Sequence, residues 1–237
     1  MRNLHSIFMT ITIVISSLLI ISNYLTIRTT SAIRGYINGE SYYSKGNKDA
    51  SKDLILYIQS EDESYYQSFL ENIKIPVGDS IARVAMESNG SLDVIKKGLI
   101  QGNNHPDDLD NLIWLFQNFR RVIFMKNAIQ VWEEADVMVG NLYEEGQSFH
   151  IRIKTRSLSD EEKKTIIAKV NAMSLALAEK GIEFAAVLGD SSRKISALLF
   201  YVNVVLIFLI VGGVGRYAFI FIKKLSSSNE LRNQIMN

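Results

Sequence analysis

The sequence predicts an all-α fold in which two transmembrane helices flank a helical-bundle extracytoplasmic domain, and the long last helix of that domain continues into the second span. Three observations predict it. Only two prolines, Pro76 and Pro106, interrupt 237 residues, so few positions forbid helix. Helix-start signals recur between two long uncharged stretches. Apolar residues before the second stretch repeat at steps of three and four, the spacing of one helix face.

The first stretch, Ile7 to Ile27, is about 21 residues without a charge, enough at ~1.5 Å per residue for a hydrocarbon core of ~30 Å. A cleaved signal peptide would carry a shorter apolar region and a small-residue cleavage site. Thr30-Ser-Ala32 matches that site poorly, so an uncleaved signal anchor is expected. The second stretch begins near Ile195 and runs uncharged to Gly215. Arg216 and Tyr217 then suit the headgroup level, and Ala218 to Ile222 lead to Lys223 and Lys224. The expected organisation is a cytoplasmic N-terminus at 1–6, a span at 7–27, an extracytoplasmic domain at 28–194, a second span at 195–222 and a cytoplasmic tail at 223–237. Basic residues near the span ends fall on both sides, Arg2, Lys223, Lys224 and Arg232 on one and Arg28, Arg34, Arg193 and Lys194 on the other, and a loop this long translocates largely regardless of its charge. The short segment before the first span is what places both termini inside.

Composition excludes several classes of function. The total of 26 basic and 25 acidic residues leaves no electrostatic footprint for nucleic acid. Cysteine is absent, which removes thiolate chemistry, disulfides and cysteine-ligated zinc. The histidines His5, His105 and His150 are too scattered for a recognised metal-ligand spacing, so no metal or cofactor is expected. No nucleophile elbow or catalytic carboxylate pair stands out, and enzymatic activity is not expected.

Within the domain, Ser60-Glu-Asp-Glu63 and Ser159-Asp-Glu-Glu162 read as capping boxes, in which serine and glutamate satisfy orphan amides reciprocally. Pro106 with Asp107 and Asp108 reads as a first helical turn capped by Asn104 or His105. Gly78-Asp79 and Gly90-Ser91 are read as opening two more helices, and Phe149 to Ile153 as loop or helix end. One helix is expected to run from Asp107 past Asn127, with Trp114 and Trp132 as packing residues along it. Ile166, Val170, Met173, Leu177, Phe184 and Val187 form a coiled-coil-like seam, self-complementary enough to suit a homodimer. In the tail, Ser227-Ser-Asn-Glu230 followed by Leu231 and Ile235 looks like the start of an output helix.

Polar groups also fall on apolar faces. Ile33, Tyr36, Ile37, Tyr43, Ala50, Leu54 and Ile58 trace a stripe that includes Glu40, Ser44 and Asn47. Arg120 and Asn127 intrude in the same way on the stripe of Ile113, Phe116 and Ile123. A buried carboxylate and a buried guanidinium on neighbouring helices would pair, because an isolated buried charge costs several kcal/mol. That face has two interpretations: a polar layer that fixes helix register, or a ligand pocket lined by Tyr36, Glu40, Tyr43, Ser44 and Arg120.

Ile33-Arg-Gly-Tyr-Ile-Asn-Gly-Glu-Ser-Tyr-Tyr-Ser-Lys-Gly-Asn-Lys-Asp-Ala50 is one of two stretches that carry a resemblance. The other comprises Gln101-Gly-Asn-Asn-His-Pro-Asp-Asp-Leu-Asp110, Ile113 to Arg120 and Ala128 to Asp136. Together with Phe184 to Arg193, they resemble the extracytoplasmic sensor region at the amino terminus of bacterial diguanylate cyclases, cyclic-di-GMP phosphodiesterases and sensor histidine kinases. In that pattern tryptophan is usual where Tyr43 stands and glutamine where Asn47 stands. The resemblance implies an inner-membrane sensor that responds to a small-molecule or protein stimulus and passes it to a cytoplasmic signalling output. Such proteins continue into a catalytic domain, whereas here about 15 residues follow the second span, with no Gly-Gly-Asp-Glu-Phe run, Glu-Ala-Leu run or kinase core. The output is therefore expected elsewhere. A passive envelope anchor, or a binding subunit for a separate signalling enzyme, is the alternative.

Overall fold

A computed structural model describes the backbone of residues 2–236, with side chains described over 6–224 and at 226. The described residues form six α-helices and one 3₁₀ turn, with no strand: α1 Arg2–Ser60, α2 Glu63–Glu87, α3 Leu92–Gln101, the turn Pro106–Asp108, α4 Leu109–Phe119, α5 Ile123–Thr155 and α6 Asp160–Met236. The all-α prediction holds, with α6 one long continuous helix. The chain divides into two compact units, Thr29–Ser192 on the one hand and Met1–Arg28 with Arg193–Asn237 on the other.

In the smaller unit, apolar side chains such as Ile27 and Phe208 are 71% and 72% exposed. An 18-residue window reaches mean hydropathy 2.0 in α1 and 2.6 in α6, with 6% and 0% of it buried. Both helices are therefore long and apolar enough to cross a membrane. Asn203 Nδ2 donates to Asn23 Oδ1 at 3.2 Å, and Phe8 stacks on Tyr217 with centroids 4.0 Å apart. The expected helix start at Ser227 to Glu230, with its stripe of Leu231 and Ile235, rests on side chains outside the described residues.

In the larger unit, local chemistry explains most helix ends. Ser159 and Glu162 form the expected capping box: the Glu162 amide donates to Ser159 Oγ at 3.3 Å, and the Ser159 amide to Glu162 Oε2 at 3.0 Å. Ser91 caps α3 by accepting from the Val94 amide, and His105 Nδ1 accepts from the Asp107 amide ahead of Pro106. Ser60, by contrast, closes α1, and the cap of α2 is Asp62, which accepts from the Ser64 amide at 2.9 Å. Glu61 makes the turn at φ 60°, a left-handed conformation unusual for a residue with a Cβ. The Lys163 ammonium holds it at 2.7 Å.

Two expectations change. Gly78 and Asp79 open no helix but lie buried inside α2. The expected single helix past Asn127 breaks between Phe119 and Ile123. Trp114 and Trp132 thus stand on different helices, and no glycine or proline marks the break. The seam of α6 packs within the same chain, with Ile166, Val170, Leu177 and Phe184 at 0–8% exposure. On either side of Phe184 the buried positions are Gly181 and Leu188, while Lys180 and Val187 are half-buried. Phe149 to Ile153 is the helical end of α5.

Pro76 sits inside α2, where its missing amide leaves the carbonyl four residues earlier without its helical donor. Gly46 of α1 fits against that site: a Cβ there would lie 3.0 Å from Pro76 Cδ and 3.1 Å from the Asn72 oxygen. Further along, Tyr66 stacks on His150 at 3.8 Å, and the Tyr57 hydroxyl meets His150 Nδ1 at 2.8 Å, tying α1 and α2 to α5.

Candidate ligand cleft

Positions 36, 40 and 43 share one face of α1 because they follow helical steps of four and three. Tyr36, Glu40 and Tyr43 accordingly line one cleft, with Asp79 from α2, Trp132 from α5 and Phe184 from α6. The cleft holds about 450 Å³ of space free of protein atoms, part of it open to solvent. Trp132 is its aromatic centre, meeting Tyr36 and Phe184 edge to face, each with centroids 6.0 Å apart.

The backbone comes close at two glycines. A Cβ on Gly181 would lie 2.4 Å from Ser44 Oγ and 2.5 Å from Glu40 Oε1, and one on Gly39 would lie 2.5 Å from Asn104 Oδ1. Any side chain at position 181 would push the Glu40 carboxylate from its place.

A buried ionic network backs the cleft. Arg83 Nε donates to Asp136 Oδ2 at 2.6 Å, with both side chains at 7% exposure or less. Arg83 also reaches Glu87 at 2.8 Å, and the Tyr43 hydroxyl donates to Asp136 Oδ1 at 3.1 Å. Burial pushes the Asp136 carboxyl above the usual carboxylate range, while the guanidinium and the tyrosine hydroxyl draw it back toward the ionised form. Asp79, 4% exposed, has no cation partner among the described residues. The hydrogen bond it accepts comes from Asn104 Nδ2 at 2.7 Å, and that amide also donates to the Leu99 carbonyl. Burial pushes the Asp79 carboxyl well above the usual range; the Asn104 amide opposes this and nearby Asp136 adds to it. Lys180, at the rim, is held by Glu134 at 2.6 Å and Glu183 at 2.8 Å, and these acids raise its affinity for its proton.

Of the residues singled out in the sequence, Tyr36, Glu40 and Tyr43 come together here, and the Ser44 hydroxyl donates to Glu40 Oε1 at 2.5 Å. The Tyr36 hydroxyl donates to the Leu112 carbonyl at 3.0 Å. Arg120 does not join them. It lies half-buried at the end of α4, donating to the Met86 and Glu87 carbonyls at 3.3 and 3.0 Å, where a cation suits the C-terminus of α2. The anticipated buried pairing of guanidinium and carboxylate exists, but between Arg83 and Asp136. Asn47 is 3% exposed, and its amide has no hydrogen-bond partner among the described residues. Asp79, Arg83, Trp132, Asp136 and Phe184 are additions to the sequence-based set. Phe69, Ile73, Pro76, Asp79 and Arg83 follow steps of three and four along α2, so the stripe test applied there exposes the two charged members.

Asp79 carries a pH prediction. Its folded-state pKa lies above its unfolded value, so the folded state binds more protons; its contribution to stability is full below about pH 4 and is lost as pH rises through the folded pKa. Asp79→Asn removes that loss while keeping an oxygen for Asn104. The variant is expected to gain about 1–2 kcal/mol at neutral and alkaline pH, and nothing near pH 4, from relief of an under-paired buried group. Thermal midpoints of both proteins across pH check this; parallel curves would contradict it.

Compared with family models, with curated proteins and with solved structures, the chain finds no match.

Proposed function

We propose that the chain is a membrane-bound sensory input module: it spans the bacterial inner membrane twice, holds residues 28–194 outside, and passes the state of its cleft to a cytoplasmic signalling output. The observation that carries this reading is that α1 and α6 each contain an apolar stretch and also cleft residues, Tyr36 to Tyr43 on α1 and Gly181 with Phe184 on α6. A ligand that repacks the cleft therefore acts directly on helices that leave it, and shifts of an ångström or two in such helices suffice for switching. The exposed apolar side chains of the smaller unit fit lipid better than water. Residues of the stretches resembling sensor regions, among them Glu40, Asn104, Trp132 and Phe184, also converge on this cleft. Nothing in the network requires catalysis by this chain.

Two experiments test the reading. Because the sequence has no cysteine, the single variants Ser148→Cys and Ser226→Cys, both at exposed positions, can report topology through a membrane-impermeant maleimide. Labelling of position 148 in intact spheroplasts, with position 226 labelled only after lysis, is expected; the reverse pattern refutes the topology. Fused to a histidine-kinase reporter, the chain should lose stimulus-dependent output when Trp132→Ala opens the cleft. Output unaffected by that change would favour the passive anchor.

A further inference from the structure

We propose that the cleft binds a small organic cation, an alkylammonium whose charge is held by Glu40 and Asp79 and whose carbon skeleton lies against Trp132 and Phe184. This rests on the cleft being the ligand site. Charge accounting favours a cation. The cations nearest the cleft are already matched: Lys180 by Glu134 and Glu183, Arg83 by Asp136 and Glu87. The two carboxyl groups lining the cleft have only neutral donors among the described residues, the Ser44 hydroxyl for Glu40 and the Asn104 amide for Asp79. An anion would meet these acids with no free cation to offset them. A neutral ligand would leave the buried Asp79 carboxyl without a countercharge. An alkylammonium supplies donors and charge to both acids, and aromatic faces attract it further, an effect that grows when water is excluded. Gly39 and Gly181 let backbone form close walls beside the acids.

Binding should also move a proton. Burial raises the affinity of the Asp79 carboxyl for its proton; a docked ammonium opposes this, so the proton the carboxyl carries passes to buffer as the ammonium pairs with the carboxylate. The groups around Asp79 are Tyr36, Glu40 and Tyr43 from α1, Arg83 on its own helix, Asp136 from α5 and Lys180 from α6. Tyr36 and Tyr43 are held protonated by burial, and Arg83 and Lys180 stay charged in their acid contacts.

The test is titration calorimetry of the full chain in a neutral maltoside detergent. The probes are choline, putrescine, 3,3-dimethylbutan-1-ol as the uncharged isostere of choline, and succinate. At least one cation should bind about tenfold or more tightly than the neutral isostere and succinate. Its heat should vary with the ionisation enthalpy of the buffer, as proton release requires. Asp79→Asn and Glu40→Gln should each weaken it about tenfold, and Asp79→Asn should abolish the buffer dependence. Because Asp79→Asn is expected to be the more stable protein, its loss of binding cannot be a loss of folding. Equal binding of the isostere, preference for succinate, or no saturable heat with either cation overturns the cation assignment. In the first two cases, sensitivity to Trp132→Ala leaves the cleft itself standing. Binding indifferent to both Trp132→Ala and Asp79→Asn overturns the cleft as well.

Discussion

Asp136→Ala is expected to destabilise the larger unit by about 3–5 kcal/mol, the usual consequence of stranding one member of a buried ion pair. Arg83 cannot shed its proton, and its side chain is 7% exposed. Without Asp136 it keeps Glu87, whose side chain is 38% exposed and which solvent screens accordingly. The Tyr43 hydroxyl loses its acceptor in the same step. Asp136→Asn should lose less, because an amide oxygen still accepts from Arg83 or Tyr43. The double variant Arg83→Met with Asp136→Leu should recover most of the loss, since well-packed apolar groups can replace a buried pair at little or no cost. Denaturation midpoints followed by circular dichroism in maltoside distinguish these outcomes: the single alanine variant should melt roughly 10 °C lower. If Asp136→Ala costs no more than Glu87→Ala, the pair is not the desolvated contact described here.

What was readable in the sequence follows how far each interaction reaches along the chain. The apolar stretches and the Ser159 capping box depend on residues within a few positions of one another, so periodicity and short motifs suffice. The end of α4 depends instead on Arg120 reaching the carbonyls of Met86 and Glu87, 34 and 33 residues away, and no local breaker announces it. Gly78-Asp79 misleads because a glycine and an acid together look like a helix start. Here the glycine answers the close approach of α3, and the acid faces the cleft. The need for a buried carboxylate and guanidinium to meet was legible from the polar intrusions. Which two meet was not: stripes identify the inward face of each helix but not which faces touch, and Arg83 and Asp136 are 53 residues apart.

Gly98→Ala and Gly140→Ala should shift stability in opposite directions, although both exchange glycine for alanine inside a helix. A Cβ on Gly98 would lie 2.7 Å from the Gly78 carbonyl oxygen and 2.9 Å from the Ala82 amide nitrogen. Both are backbone atoms of α2, so α3 must move as a body. Gly78 shows the reciprocal constraint, with a Cβ there 2.8 Å from the Gly98 oxygen. Overpacking of this kind costs typically about 1–3 kcal/mol or more, which outweighs the gain of about 1 kcal/mol from better helix propensity. A net loss of about 1–2 kcal/mol is expected from these opposing contributions, toward the upper end because both contacts are to backbone. At Gly140 a Cβ meets nothing within 4 Å, so only the propensity gain remains and stability should rise by about 0.5–1 kcal/mol. The Gly98 change should also be felt in the cleft. The chain leaving α3 supplies Asn104 to Asp79, and Gly102 sits so near that carboxyl that a Cβ there would lie 2.1 Å from Asp79 Oδ1. Displacing α3 draws the Asn104 amide away from Asp79, so the alanine variant should lose cation affinity as well as stability, while Gly140→Ala leaves affinity unchanged. Paired denaturation and calorimetry measure both effects; stabilisation by both substitutions would show that α2 and α3 have more room between them than their glycines imply.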